Sequence, residues 1–255
     1  MRDRLDQTAA ILRSYNNKFV QKQVSNLCNA GIGKIIVVTD GNKDKGATRG
    51  FLGGFIEAGH VQLIEMHEGY SWANALNIGF KAVFMANVRE RNRFRFVMNI
   101  SVEAQFTRQH LEAMLDAAIN DPKVGVVGTS FEGRQDGNII SLGRSYRHPR
   151  NTGMLVRIEA FGPLMGGFDA RCDAIGGMED IDFLLGMLAL SEYSYTMLDL
   201  QVPLIVGANY HQPSKETREQ EAMDKIVLHW RSLFPTHTDE RQRIESAIQR
   251  MALDH

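Results

Sequence analysis

The segment Lys34–Thr39, Lys-Ile-Ile-Val-Val-Thr, limits the fold more than any other. After its lysine every residue is β-branched, and four in a row are apolar. A strand with one wet face alternates polar and apolar residues, whereas an unbroken apolar run marks a strand covered on both faces. Such strands belong to parallel sheets with helices on either side. Four further runs have strand character: Thr8–Arg13, Val61–Met66, Arg95–Met98 and Lys123–Gly128. The stretches between them carry helical spacing. Lys18–Asn29 places Phe19, Val20, Val24, Leu27 and Cys28 on one side, and Gly31 and Gly33 end it. Gly50–Ala58 reads as a helix weakened by its glycines, and Ser71–Met85 as another. Thr107 is placed to cap a helix whose core face is Leu111, Met114, Leu115 and Ala118. Asp40–Gly46 reads as a polar loop. Strand and helix in alternation, joined by right-handed crossovers, predict an α/β, Rossmann-like, doubly wound, mostly parallel sheet.

The regular rhythm stops at Thr129–Thr152, which is polar and rich in glycine and arginine. After Gln212 the chain turns charged and helical, with amphipathic helices expected at Glu219–Phe234 and Asp239–Leu253. The expected organisation is one α/β domain over 1–214 and a C-terminal helical appendage over 215–255. The apolar residues Ile226, Leu228, Leu233 and Phe234 either pack on the domain or form an oligomer surface.

Bulk numbers narrow the function classes. A chain of 255 residues with 44% hydrophobic and 23% charged residues can bury a substantial core. Its formal net charge of −1 supplies no global field toward nucleic acid. Cys28 and Cys172 fit neither a metal spacing nor a disulfide framework, which points to a reducing, cytoplasmic setting. The apolar run near the N-terminus is too short for a signal peptide. No stretch approaches the ~18 apolar residues of a spanning helix, so membrane contact would be peripheral.

Ligands of doubly wound sheets sit beyond the carboxyl ends of the strands. Four segments stand there or beside it: Arg13-Ser14-Tyr15-Asn16, Val38–Asp44, Ala75-Leu-Asn77-Ile-Gly79, and Gly166-Gly-Phe-Asp169 with Glu179-Asp-Ile-Asp182. Together they resemble the family 2-type inverting glycosyltransferases, nucleotide-diphospho-sugar transferases of GT-A fold. Tyr15-Asn16 matches that family's first-strand turn. Thr39-Asp-Gly-Asn-Lys-Asp44 matches its second-strand loop, less one aspartate. Ala75, Asn77 and Gly79 match its helix motif. Gly166–Asp169 and Glu179–Asp182 match its late signature, and His211-Gln-Pro-Ser214 its late histidine. The matches run in family order from residue ~8 to ~214.

The resemblance implies a transferase that moves a sugar from a nucleotide-diphospho-sugar to a hydroxyl acceptor. A UDP-sugar is the first expectation, with GDP- and dTDP-sugars behind it; the acceptor would be a glycan, a lipid-linked glycan or a small molecule. Asp180 is the expected general base and Glu179 the other candidate, because inversion needs a carboxylate to take the attacking hydroxyl's proton. The alternative is that these acids only complement a helix N-terminus. Ser14, Tyr15, Asn16, Asp40, Asn77, Asn99 and Ser101 are expected on the donor side. Asp40 reads the nucleobase or supports a turn; Asn16 touches ligand or caps a helix; Asn77 supports the nucleotide or bonds backbone. Trp72 stacks on a ligand ring or packs. Arg147, Arg150, Gly177, Asp182 and His211 are expected around the diphosphate and acceptor.

One family feature is degenerate. The Asp-x-Asp that holds a divalent ion after the fourth strand is replaced by Asn99-Ile-Ser101. Mg2+ and Mn2+ prefer hard anionic oxygens, and an amide with a hydroxyl supplies none. Ser101, Glu103 and His211 are weak metal candidates, so a cofactor ion is doubtful. Two accounts follow. In one, Arg147 and Arg150 stabilise the leaving diphosphate without metal. In the other, catalysis is lost and the chain is a binding or scaffold protein of a glycan-assembly complex. A dinucleotide-binding dehydrogenase ranks low, because no Gly-x-Gly-x-x-Gly follows a strand. A nucleotidyltransferase would want a Gly-rich basic loop where Arg13-Ser-Tyr-Asn stands.

Overall fold

The computed structural model describes residues 4–14, 17–132, 139–141, 144–146, 149, 152–161, 167–169, 171–174, 179–205 and 213–251. The first half follows the predicted alternation: β1 (Thr8–Ser14), α1 (Phe19–Ala30), β2 (Lys34–Asp40), the single turn α2 (Gly41–Asp44), α3 (Ala47–Glu57), β3 (Val61–Met66), α4 (Trp72–Arg89), β4 (Phe96–Ser101), α5 (Arg108–Asn120) and β5 (Val124–Phe131). A short hairpin follows, β6 (Ile139–Ser141) with β7 (Arg144–Tyr146). Then come β8 (Gly153–Arg157), α6 (Ile158–Phe161), α7 (Arg171–Ala174), α8 (Glu179–Leu190), β9 (Ser194–Val202), α9 (Pro213–Leu233) and α10 (Asp239–Met251).

Seven strands form one sheet in the order β3-β2-β1-β4-β8-β5-β9. All neighbours are parallel except β8, which runs antiparallel to both β4 and β5. Every residue of β1 is buried, as is every residue of β2 after Lys34, which is the two-sided burial their composition requires. The core has two halves. Ile11, Val38, Val97 and Val156 face α4, α6, α8, α9 and α10 on one side; Leu12, Val37, Met98 and Leu155 face α1, α3 and α5 on the other. Helices on both faces make this the doubly wound sheet that the alternation predicts. Ala222, Met223, Ile226, Val227, Ile244, Ala247 and Ile248, from α9 and α10, are buried in the first of these halves. Leu228 and Leu233 remain exposed.

Thr107 caps α5 with its side chain, and His110 returns the bond to the Thr107 N–H. Leu111, Met114, Leu115 and Ala118 are the buried face of α5, as their spacing predicts. Several boundaries differ from expectation. Asp40–Gly46 contains a helical turn, because the Asp40 side chain caps it. β4 runs on through Asn99 to Ser101, and β5 through Thr129 to Phe131, because neighbouring strands continue to bond them. β8 and β9 have no counterpart among the expected strands: β8 follows the polar segment, and β9 is only half buried and lacks an apolar run. Among the described residues no helix is long and apolar enough to cross a membrane.

Candidate active site

The strand register places the candidate residues. β1 lies between β2 and β4, so Arg13 sits opposite Val38 on one side and Ser101 on the other. Asp40 ends β2 opposite Met66. Side chains alternate along a strand. Ile11, Val38 and Val97 face the half of the core under α4 and α8. Arg13, Asp40, Asn99 and Ser101 follow them at even spacing and therefore lie on that same face. Strand spacing and rise put the Cα atoms of Arg13 and Asp40 roughly 8 Å apart. Ser14 lies on the opposite face, where its Oγ is 3.2 Å from Thr48 Oγ1. The expected donor-side set thus divides between two faces.

At the end of β2 the aspartates are held by nearby backbone. Asp40 Oδ1 accepts from the N–H groups of Asn42 and Lys43, both at 3.2 Å, and Lys43 Nζ lies 3.6 Å from its other oxygen. Gly41 passes so close to His67 that a Cβ there would sit 2.6 Å from the ring. The buried Asp44 accepts from Thr48 N at 2.9 Å and Thr48 Oγ1 at 2.7 Å. This turn is built by caps within eight residues of sequence.

Two other motifs interlock. Gly79 lets α4 lie on β1, since a Cβ there would stand 2.5 Å from Ile11. The Asn77 amide donates to Phe168 O at 2.7 Å and accepts from Phe168 N at 2.8 Å. Gly167 has φ +66° and its missing Cβ would meet Asn77 Oδ1, so glycine is needed twice over. Phe168, held this way, stacks on Phe183 of α8 with centroids 4.7 Å apart and tilts against Phe80 of α4. Phe80 in turn stacks on Phe161 at 4.2 Å. Asn77 and Phe168 therefore fix α8 relative to α4.

That lock sets the first turn of α8 against the carboxyl edge of the sheet. Glu179 and Asp180 are both buried there. Glu179 Oε1 lies 3.5 Å from Arg13 Nη1, and both side chains are nearly closed to solvent. The Arg13 guanidinium also sits 4.4 Å from the centre of the Trp72 ring, whose residue is 52% exposed. Burial pushes the Arg13 pKa down, while the charges of Glu179 and Asp180 and the nearby Tyr70 push it back up. Asp180 Oδ1 accepts from Ile181 N at 2.9 Å. Asp182 accepts from the indole N–H of Trp230 on α9 at 2.8 Å. Burial raises the Asp182 pKa, and the Trp230 bond opposes this. Asp169 is held below the usual carboxylate range, mainly by its hydrogen bonds from Arg171. Burial and the surrounding acids push the Cys172 thiol far up, which makes it a poor nucleophile.

The residues at the Asp-x-Asp position do not fit a divalent ion. Asn99 is fully buried inside β4, and Ser101 Oγ accepts from Glu103 N at 3.3 Å. Neither carries charge, and among the described residues no three His, Cys, Asp or Glu side chains form a group that could hold a metal. The expected residues Tyr15, Asn16, Arg147, Arg150, Gly177 and His211 lie outside the described residues. Sequence reasoning gave Arg13 no role. Its signal was a charged residue directly after the apolar run Ala9–Leu12, at a core-facing position of a wholly buried strand.

The three-dimensional arrangement matches a solved sugar-transfer enzyme: mannosyltransferase PcManGT from Pyrobaculum calidifontis, determined in complex with GDP-Man and Mn2+. The chain has a glycosyltransferase-like fold. The TM-score is 0.59 at 14% sequence identity, over 96% of this chain and 74% of that one. Together with the sheet order, this is consistent with a GT-A-like doubly wound architecture. At that identity the likeness carries the fold and not the chemistry. No protein-family model matches the chain, and no curated protein matches it in sequence.

Proposed function

We propose that the chain is an inverting glycosyltransferase that takes a sugar from a nucleotide-diphospho-sugar and passes it to a hydroxyl acceptor. The observation that carries this reading is the ion pair of Arg13 with Glu179. It holds the acidic start of α8 beside Arg13, on the sheet face where Asp40 also lies, and this supports a single cleft for donor and acceptor. In this reading Asp180 takes the proton from the acceptor hydroxyl as the bond to the nucleotide diphosphate breaks. Glu179, held in the ion pair with Arg13, is the second candidate for that role. Asp40 bonds the nucleobase with the oxygen facing Lys43 while the other continues to cap α2. Asn77 positions α8 through Phe168, and Asp182 positions it through Trp230. Tyr15, Asn16, Gly177 and His211 complete the site by resemblance, and Arg147 and Arg150 add positive charge near the diphosphate.

The donor is a GDP- or UDP-sugar. The structural neighbour's bound GDP-Man supports the first and the motif resemblance the second. The protein works in the cytoplasm, with the helices over 215–255 as an appendage to the 1–214 domain. A second reading, a binding protein without catalysis, draws on the neutral Asn99 and Ser101. One assay separates them: release of labelled sugar from GDP-mannose and UDP-glucose, with Asp180→Asn as control. Turnover by the native chain that the variant lacks supports the enzyme. Tight nucleotide-sugar binding with no turnover, and no effect of the variant, would sink it in favour of the second reading.

A further inference from the structure

Arg13 is an unusual residue to bury. A guanidinium taken out of water is costly unless paired, and here its partner comes from 166 positions away. Its Cα is the register partner of Ser101, on the face shared with Asn99. A related sugar-transfer fold was solved with Mn2+ bound, yet this chain puts a neutral amide and a hydroxyl where carboxylates would be needed. A divalent ion at that point would lack anionic ligands and would also face a permanent cation on the neighbouring strand. Trp72 covers one face of the guanidinium and is itself half exposed, so Arg13 lies one side chain below the surface.

We propose that Arg13 stands in for the divalent ion: it is the fixed positive charge against which the diphosphate of the donor binds, with Glu179 as its counter-charge and Trp72 as its cover. This rests on the nucleotide-sugar reading above. An arginine suits the task because its charge is permanent at any working pH and its planar fork matches phosphate oxygens. The position also explains how Glu179 and Asp180 can be buried: the charge they face is part of the chain.

The test is calorimetric titration of the full chain with GDP, UDP, GMP and UMP, first in EDTA and then in Mn2+. The expected result is that at least one diphosphate binds with the same affinity in both buffers. Arg13→Gln should weaken that diphosphate by about 10–100-fold, the range of a charged hydrogen-bond partner, and the matching monophosphate by much less. A role confined to folding would weaken both alike. If Arg13→Gln does not fold, Arg13→Lys carries the comparison, because it keeps the charge and loses the fork: a loss confined to the diphosphate supports the proposal, and affinity equal to the native chain overturns it. Tenfold tightening by Mn2+, or native affinity in Arg13→Gln, overturns it while leaving the nucleotide-sugar reading in place. Failure of the native chain to bind any of the diphosphates overturns both.

Discussion

Two parts of the sheet edge hold buried or half-buried acids by different means. At the end of β2, Asp40 and Asp44 are satisfied by N–H and hydroxyl groups two to four residues away. At the start of α8, Glu179 and Asp182 are satisfied by Arg13 and Trp230, which are 166 and 48 residues distant. The first arrangement can form as soon as the turn forms. The second exists only when β1, α4, α8 and α9 are packed together. The lesson is that acids shielded from water on one sheet edge need not share an origin, and that a site built on the second kind of contact is coupled to the whole core.

The sharpest way to test the contrast is to remove one acid from each side. Asp180→Asn should reduce sugar transfer by about 10²–10⁴-fold, the usual contribution of a positioned base, with the unfolding midpoint nearly unchanged. Turnover at the native rate would remove Asp180 from the chemistry. Phe168→Ala attacks the packing on which the distant partners depend. It takes a buried ring from between Phe80 and Phe183 and should cost about 3–5 kcal/mol in denaturant unfolding. Hydrogen exchange should then quicken in α8 while Asp40–Thr48 keeps its protection; equal loosening of both would erase the contrast drawn here.

Asp182→Asn sharpens it through pH. Burial raises the Asp182 pKa in the folded protein, so the native state holds this proton more tightly than the unfolded chain does. The charged form therefore weakens the fold as pH rises from the ordinary carboxylate range through the raised folded pKa, and the native protein gains stability below it. Asparagine still accepts from Trp230 without the charge. The variant should melt higher than the native chain at neutral pH, and the gap should close in acid. A gap that is absent at neutral pH, or that widens in acid, would contradict the sign. The smallest effect belongs to the local side. Asp40→Asn replaces one good cap with another and should change stability by only a few tenths of a kcal/mol. Nucleotide binding should nonetheless weaken by about tenfold if the carboxylate also meets the base, as calorimetry would show. Unchanged binding would leave Asp40 as a cap alone.

Much of the scaffold is legible in the sequence. Lys34–Thr39 announced a doubly covered strand, Leu111, Met114, Leu115 and Ala118 a buried helix face, and Thr107 its cap. Each of these signals is short-range: strand burial, helical period and capping are written within a few residues of the position they govern. The motifs also lie at the strand ends and at the start of α8. What they could not show was employment. Of the two readings the sequence leaves for Asn77, nucleotide support or a backbone bond, the structure shows the amide gripping the backbone of Phe168, and Asp182, expected near the acceptor, holds Trp230.

By itself the sequence determined the alternation of strand and helix, the Thr107 cap, and the aspartates Asp40 and Asp44 at the end of β2. Only the tertiary structure decided that β8 enters the sheet antiparallel between β4 and β5, that Ser14 and Asp40 face opposite sides, and that Arg13 meets Glu179. The physical reason is range. Backbone preference and hydrophobic period act between neighbours in the chain, whereas the partner of a buried charge is whichever group the packed core brings within reach. That choice depends on every element in between.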